Sequence, residues 1–130
     1  MKKEMQKTEE EWKKQLDANQ FQVLRKKSTE LPFTGKYLYN KEKGVYTCAG
    51  CNAELFSSQT KFDSGCGWPS FFDQLNQNVA TKIDNSNGIT RIEIYCKKCA
   101  GHLGHVFDDG PQPTGKRYCV NSLALNFKKK

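Results

Sequence analysis

The residues of this 130-residue chain that can do chemistry are six cysteines and two histidines, and their spacing sorts them. Four of the cysteines form two C-x-x-C pairs, Cys48-Ala49-Gly50-Cys51 and Cys96-Lys97-Lys98-Cys99, each just after a strand candidate ending in an aromatic residue, Tyr46 or Tyr95. Zinc takes four tetrahedral ligands at about 2.3 Å from thiolate sulfur, and two tight knuckles meeting across a sheet supply them. The spacing therefore predicts one zinc ion per chain held by Cys48, Cys51, Cys96 and Cys99, with Gly50 permitting the close turn of the first knuckle. Four protein ligands leave no open position, so the site is expected to be structural. Thioredoxin-like redox pairs or small-loop disulfides are the rival reading, but neither knuckle lies in a βαβ pattern. A ligand set of Cys96, Cys99, His102 and His105 keeps the three-residue rhythm and leaves Cys48 and Cys51 without work.

Cys66 and Cys119 remain. If Arg117-Tyr118-Cys119-Val120-Asn121-Ser122 is extended, Arg117, Cys119 and Asn121 share one face. A guanidinium beside a thiol favours the thiolate, which is the nucleophilic form. Cys119 is thus the expected nucleophile, weighed against a buried and inert strand cysteine. Cys66 lies in Gly65-Cys66-Gly67-Trp68-Pro69, where two glycines predict a mobile, accessible loop. That suits a resolving thiol, which must reach a sulfenic acid on another cysteine and condense with it; the bland alternative is a turn cysteine packed under Trp68. His102 and His105 flank Gly104 and can exchange protons near neutral pH. On a regular strand the two rings would point to opposite faces, so convergence on Cys119 requires a bend, which Gly104 permits.

Elements that could position these groups follow from local pattern. Thr8-Glu9-Glu10-Glu11 and Asp17-Ala18-Asn19-Gln20 both read as helix-capping boxes, followed by Trp12 and Leu16 in one case and by Phe21 and Leu24 in the other. Two short helices are expected, the second running to about Lys27, laid as a cover over something else and not as part of a site. From Leu31 onward Pro32, Gly35 and the Asn40–Gly44 cluster break the chain, and Tyr37, Tyr39, Val45 and Tyr46 have strand preferences. Residues 79–83 and 89–95 around Asp84-Asn85-Ser86-Asn87-Gly88 form the clearest hairpin. His102–Phe107 and Tyr118–Leu125 are two further strand candidates. The body is expected to be mainly β and antiparallel.

The length allows one domain with one core, divided into a leader and helix at 1–19, a body at 20–127 and a basic tail at 128–130. Net charge is +7, but the body is nearly balanced and three lysines close the chain, so a specific nucleic-acid role is not expected. No apolar run reaches the roughly 18 residues that span a bilayer. The basic start is followed by Glu9-Glu10-Glu11 and not by an apolar stretch, so a cytoplasmic protein is expected. There thiols stay reduced, which favours metal or redox work for six cysteines over a disulfide framework.

Gly65-Cys66-Gly67-Trp68-Pro69-Ser70-Phe71, Gly101-His102-Leu103-Gly104-His105-Val106-Phe107, Asp109-Gly110-Pro111 and Arg117-Tyr118-Cys119-Val120-Asn121-Ser122, in this order and with the two C-x-x-C pairs, resemble the B-type methionine-R-sulfoxide reductases over about residues 20–127. The resemblance implies two antiparallel sheets meeting at an angle, clamped by zinc far from the chemistry. It implies that Cys119 attacks the sulfoxide sulfur of methionine-R-sulfoxide in proteins or peptides, with His102, His105 and Asn121 as hydrogen-bond or proton donors to the oxygen. Cys66 would then close a Cys66–Cys119 disulfide that thioredoxin reduces. Trp68 and Phe107 would wall the S-methyl group, and Arg117 would hold the thiolate or its loop. Both methionines, Met1 and Met5, fall outside the matched body. A reading from another class, a zinc-stabilised β module binding nucleic acid or protein, explains the knuckles and the charge but leaves Cys66, Cys119, both histidines and Trp68 idle.

Overall fold

A computed structural model describes residues 8–130, apart from the Asn87 side chain. Met1, Met5 and the rest of the leader before Thr8 lie outside the described residues. Thr8 caps helix α1 (Glu9–Gln15) and Asp17 caps α2 (Ala18–Lys26), each through a complete capping box in which side chain and backbone exchange hydrogen bonds with the third helical residue. Such a cap is worth about 1 kcal/mol. Helices this short need tertiary support. Trp12 of α1 and Phe21, Val23 and Leu24 of α2 are all buried.

What they cover is the pair of knuckles. Gln15 donates to the carbonyl of Gly50, and Arg25 donates to that of Cys99 at 2.9 Å while stacking on Trp12. The helices are nonetheless more than a cover. Lys27, the left-handed C-cap of α2, pairs with Glu93, and Thr29 reaches the pocket described below.

Among the described residues nine strands form two antiparallel sheets. The smaller has the order β2 (Glu54–Ser57), β1 (Gly44–Cys48), β9 (Leu125–Lys129). The larger runs β3 (Lys61–Phe62), β4 (Ser70–Phe71), β8 (Arg117–Val120), β7 (His102–Phe107), β6 (Arg91–Cys96), β5 (Val79–Asp84). Aromatic residues join them: Phe56 of β2 stacks on Phe71 of β4 at 4.4 Å, and Tyr46 of β1 meets Phe71 edge-on at 5.1 Å. The fold is thus mainly β with two antiparallel sheets and two short helices, and the expected hairpin is present as β5–β6.

Three local expectations fail for physical reasons. Tyr37 and Tyr39 lie in turns, not strands; Tyr37 instead packs edge-on against Tyr46, a burial that needs no ladder partner. The single strand expected over Tyr118–Leu125 is two, because a 3₁₀ turn at Ser122–Ala124 carries the chain from the larger sheet to the smaller. Lys128 and Lys129, expected in a solvated tail, have exposed side chains but belong to β9, opposite Val45 and Gly44. A lysine on an edge strand keeps its charge in water while its backbone pairs.

Candidate active site

Strand β7 carries both histidines, and its pairing resolves how they meet. Its register with β6 matches Glu93 to His105, Ile94 to Gly104 and Tyr95 to His102, so Leu103 is the extra residue of a bulge. The bulge removes the opposite phasing expected of a regular strand, and the two rings lie edge-on at 5.7 Å. The expected bend at Gly104 is therefore a bulge one residue earlier. Gly104 serves a different purpose: a Cβ there would stand 2.0 Å from the carbonyl oxygen of Cys119, so only glycine lets β7 and β8 close up.

That register also sets His105 directly opposite Cys119. Cys119 is 9% exposed. Arg117, two residues earlier on the same face, donates from Nη1 to its sulfur at 2.8 Å. The guanidinium is itself held in place: Nε and Nη2 pair with the two carboxylate oxygens of Asp109 at 2.7 and 3.0 Å, and the plane stacks on Phe107 at 4.4 Å. A planar fork of five donors can serve a carboxylate and a thiolate at once, as a lysine could not.

On the other side of Cys119 stands Cys66, with 3.0 Å between sulfurs. Gly65 and Gly67 have φ of 77° and 99°, the left-handed region that glycine supplies without strain, and they fold the loop so that the half-buried Cys66 turns inward. Expected as a mobile thiol needing a swing to reach its partner, Cys66 already touches it. Its sulfur also approaches Ser70 Oγ at 3.4 Å and the Trp68 carbonyl at 3.5 Å. The hydrogen bond between the two sulfurs dominates their titration. It lets Cys66 ionise at about 4, with Ser64 and Ser70 assisting against burial. The same bond, then burial, pushes Cys119 well above the usual thiol range, while Arg117 pulls it down. The pair thus shares one negative charge: the contact between the sulfurs places it first on Cys66, and the guanidinium 2.8 Å from Cys119 is the cation that stabilises it when it passes to that sulfur.

A cavity of about 270 Å³ opens over Cys119, lined by Trp68, His105, Phe107, Arg117 and Asn121, with Thr29, Arg91 and Gly104 completing the wall. That volume holds one amino-acid side chain and is at the small end for ligand pockets. Asn121, expected on the face of Arg117 and Cys119, does reach the cavity but as the first residue beyond β8. Its amide is largely committed: Oδ1 accepts from the Glu30 N–H and Nδ2 donates to the Leu103 carbonyl, both at 3.0 Å. One amide hydrogen is left for another acceptor. His102 is not part of the cavity wall; it is 4% exposed and packs behind, with Nδ1 2.7 Å from Glu93 Oε2. His105 places Nε2 2.7 Å from Asp84 Oδ2.

Sequence reasoning missed Glu30, Asp84, Arg91, Glu93 and Asp109. Glu30 ties the pocket together: its backbone holds Asn121 and, through its carbonyl, the indole N–H of Trp68 at 3.0 Å, while Oε1 accepts from Leu123. Burial raises its carboxyl above the ordinary range. Only Asp109, eight residues from Arg117 across a Gly-Pro turn, left a signal that could have been read.

None of the four remaining sulfurs lines this pocket; they lie within 4.8 Å of one another. Cys48 and Cys99 are 3.6 Å apart, and Cys51 and Cys96 are 3.5 Å apart. A tetrahedron of thiolates about a small divalent ion has edges of about 3.8 Å, so the cluster fits one metal ion without an open position. Both knuckles use the same backbone: the residue after the second cysteine, Asn52 or Ala100, is left-handed, and its N–H donates to the carbonyl of the first, at 2.8 and 2.7 Å. Gly50 is not at a positive φ; a Cβ there would crowd Trp12 at 3.3 Å beside two of the sulfurs, so its smallness eases the packing of α1 on the knuckle. Neither histidine joins this set.

A close thiol pair on a cationic pocket wall, separated from a closed four-thiolate cluster, defines a thiol-redox enzyme architecture on a β scaffold. A family model described as the SelR domain matches residues 16–129. Three relatives are each called peptide methionine sulfoxide reductase MsrB. That of Methanosarcina barkeri (strain Fusaro / DSM 804) is 61% identical over 97% of this chain and 89% of its own length. That of Methanosarcina mazei is 57% identical over 96% and 90%, and that of Leptospira interrogans is 54% identical over 97% of both. The chain belongs to the SelR-domain family, the B-type methionine sulfoxide reductases.

Proposed function

We propose that this protein reduces methionine-R-sulfoxide in proteins or peptides to methionine, with Cys119 as nucleophile and Cys66 as resolving thiol. The observation that carries the mechanism is the 3.0 Å sulfur pair at the foot of a side-chain-sized cavity, with Arg117 on one sulfur. The Cys119 thiolate attacks the sulfoxide sulfur, and the oxygen takes one proton. Methionine leaves and Cys119 becomes the sulfenic acid. The Cys66 thiol then attacks that sulfur, water departs, and a Cys66–Cys119 disulfide forms. A dithiol protein such as thioredoxin returns the pair to two thiols by exchange.

His105 supplies the proton through Nδ1 from its imidazolium form, its Nε2–H being donated to the Asp84 carboxylate. His102 backs it, and the remaining amide hydrogen of Asn121 bonds to the oxygen as charge develops there. Trp68 and Phe107 form the apolar wall for the S-methyl group. The cavity therefore offers a polar side to the oxygen and an apolar side to the methyl, and only one sulfoxide epimer can satisfy both while turning its sulfur to Cys119. Zinc, held by Cys48, Cys51, Cys96 and Cys99, serves the scaffold and not the reaction, since its four ligands are thiolates and its site is closed. With residues 20–127 as the catalytic body of a single domain and a reducing compartment required for turnover, the setting is cytoplasmic. Among the described residues no helix is long and apolar enough to cross a membrane.

An epimer-resolved assay with a dithiol reductant tests this. Consumption of the R sulfoxide with the S epimer left intact is expected; equal consumption of both, or of neither, would overturn the proposal.

A further inference from the structure

Glu93 is only 2% exposed, yet no step above uses it or the Lys27 ammonium beside it. A buried carboxylate is tolerated only when its oxygens are partnered. Here Oε2 lies 2.7 Å from His102 Nδ1, and Oε1 lies 3.1 Å from Lys27 Nζ. Lys27 arrives from outside the sheet. As the C-cap of α2 it adopts φ 61°, and that left-handed turn ends the helix beside β6 with the ammonium over Glu93.

A carboxylate can only accept hydrogen bonds, so the His102 nitrogen facing it must carry the proton. Burial pushes Glu93 up, but His102 and then Lys27 together hold it below the ordinary carboxylate range, so it stays charged. His102 is meanwhile lowered by burial, with Glu93 opposing. Neutral imidazole with Nδ1–H toward Glu93 is the result, and Nε2 makes no hydrogen bond among the described residues. His105 is arranged in the opposite sense: Nε2 is tied to Asp84, whose same oxygen lies 3.6 Å from Arg91 Nη2. Two imidazole–carboxylate–cation chains thus stand side by side and leave different ring nitrogens free.

We propose that Lys27 and Glu93 are positioning residues for His102, a buried chain that fixes its Nδ1–H tautomer and leaves Nε2 for the proton traffic behind His105. The inference rests on the sulfoxide chemistry proposed above and deepens it. It also gives the N-terminal helices a part in the active site, since α2 delivers the cation. The groups facing this chain are Lys82 of β5 opposite Glu93, Tyr95 of β6 opposite His102, Lys27 from α2, His105 on the same strand and Cys119 on β8 opposite His105.

With two histidines in the whole chain, both rings can be resolved by NMR without turnover. In the wild-type protein at a pH where His102 is neutral, ring ¹⁵N shifts should show the proton on Nδ1; a proton on Nε2 overturns the proposal with no variant needed. Glu93→Gln keeps the shape and removes the negative neighbour, so the His102 titration should move to lower pH. Lys27→Met removes a positive one at an exposed position, so it should move to higher pH. Shifts in the same direction, or in neither, would overturn it. Single-turnover reduction should slow for Glu93→Gln by about tenfold, a fraction of the roughly 10²–10⁴-fold that a positioned proton donor supplies. Should wild-type protein fail to reduce sulfoxide at all while the tautomer and both shifts are as expected, the proposed function fails and the charge chain stands.

Discussion

The four-cysteine cluster and the Cys66–Cys119 pair both set sulfur against sulfur, at 3.5 and 3.6 Å in one and 3.0 Å in the other. Their surroundings give them opposite chemistry. Each knuckle of the cluster is closed by its own backbone hydrogen bonds and latched by a helix, through Gln15 to Gly50 and Arg25 to Cys99. The Cys66–Cys119 pair has one sulfur on a strand and the other on a glycine-flanked loop, with a guanidinium at 2.8 Å and a cavity above. Whether a cysteine holds a metal or reacts thus depends less on the distance to the next sulfur than on how many sulfurs converge, whether a cation faces them, and whether a substrate can enter.

The sharpest way to break this contrast is to remove one sulfur from each cluster. Cys119→Ser should bring single-turnover sulfoxide reduction to background, a loss of roughly 10³-fold or more, while the thermal unfolding midpoint moves little. Surviving activity would reassign the nucleophile. Cys96→Ser, or a strong chelator, should do the reverse. It should cost several kcal/mol of a total that for such a domain is about 5–15 kcal/mol, read as a large drop in that midpoint and loss of the one zinc expected per chain. A metal-free protein of equal stability would erase the distinction.

Two smaller effects sharpen the pair itself. Cys66→Ser should leave the first turnover within about twofold but stop recycling by a dithiol protein, since no intramolecular disulfide can form. Unchanged steady-state turnover would mean that the reductant meets the sulfenic acid directly. Arg117→Met removes the cation that pulls Cys119 down, so the pH at which single-turnover rates plateau should rise. Each unit of that rise lowers the rate at neutral pH by about tenfold. A pH profile that does not move would leave the guanidinium with only the role of bracing Asp109 and Phe107.

Much of the site was legible before any fold was known because its signals are short-range. The C-x-x-C knuckles, the capping boxes at Thr8 and Asp17, and the alternation that sets Arg117 beside Cys119 each involve residues within a turn or a few strand positions of one another. Local backbone geometry decides such features, so residue types at fixed spacing suffice. The bulge at Leu103 was not legible, because it is a register between two strands and not a property of either. Likewise Glu30, Glu93 and Asp84 look in sequence like ordinary surface acids. Asn121 meets Glu30 across 91 residues, and His105 meets Asp84 across 21.

The sequence by itself therefore determined the inventory: which cysteines come in ligand spacing, which stand alone, and which cation accompanies Cys119. Only the tertiary structure decided that Cys66 already rests against Cys119, on which side of β7 the histidines lie, and which carboxylates hold each ring. The physical reason is the reach of the forces involved. A turn or a strand face follows from steric preferences a few residues long, whereas burying a charge such as Glu93 is possible only once separate elements have closed around it and supplied its partners.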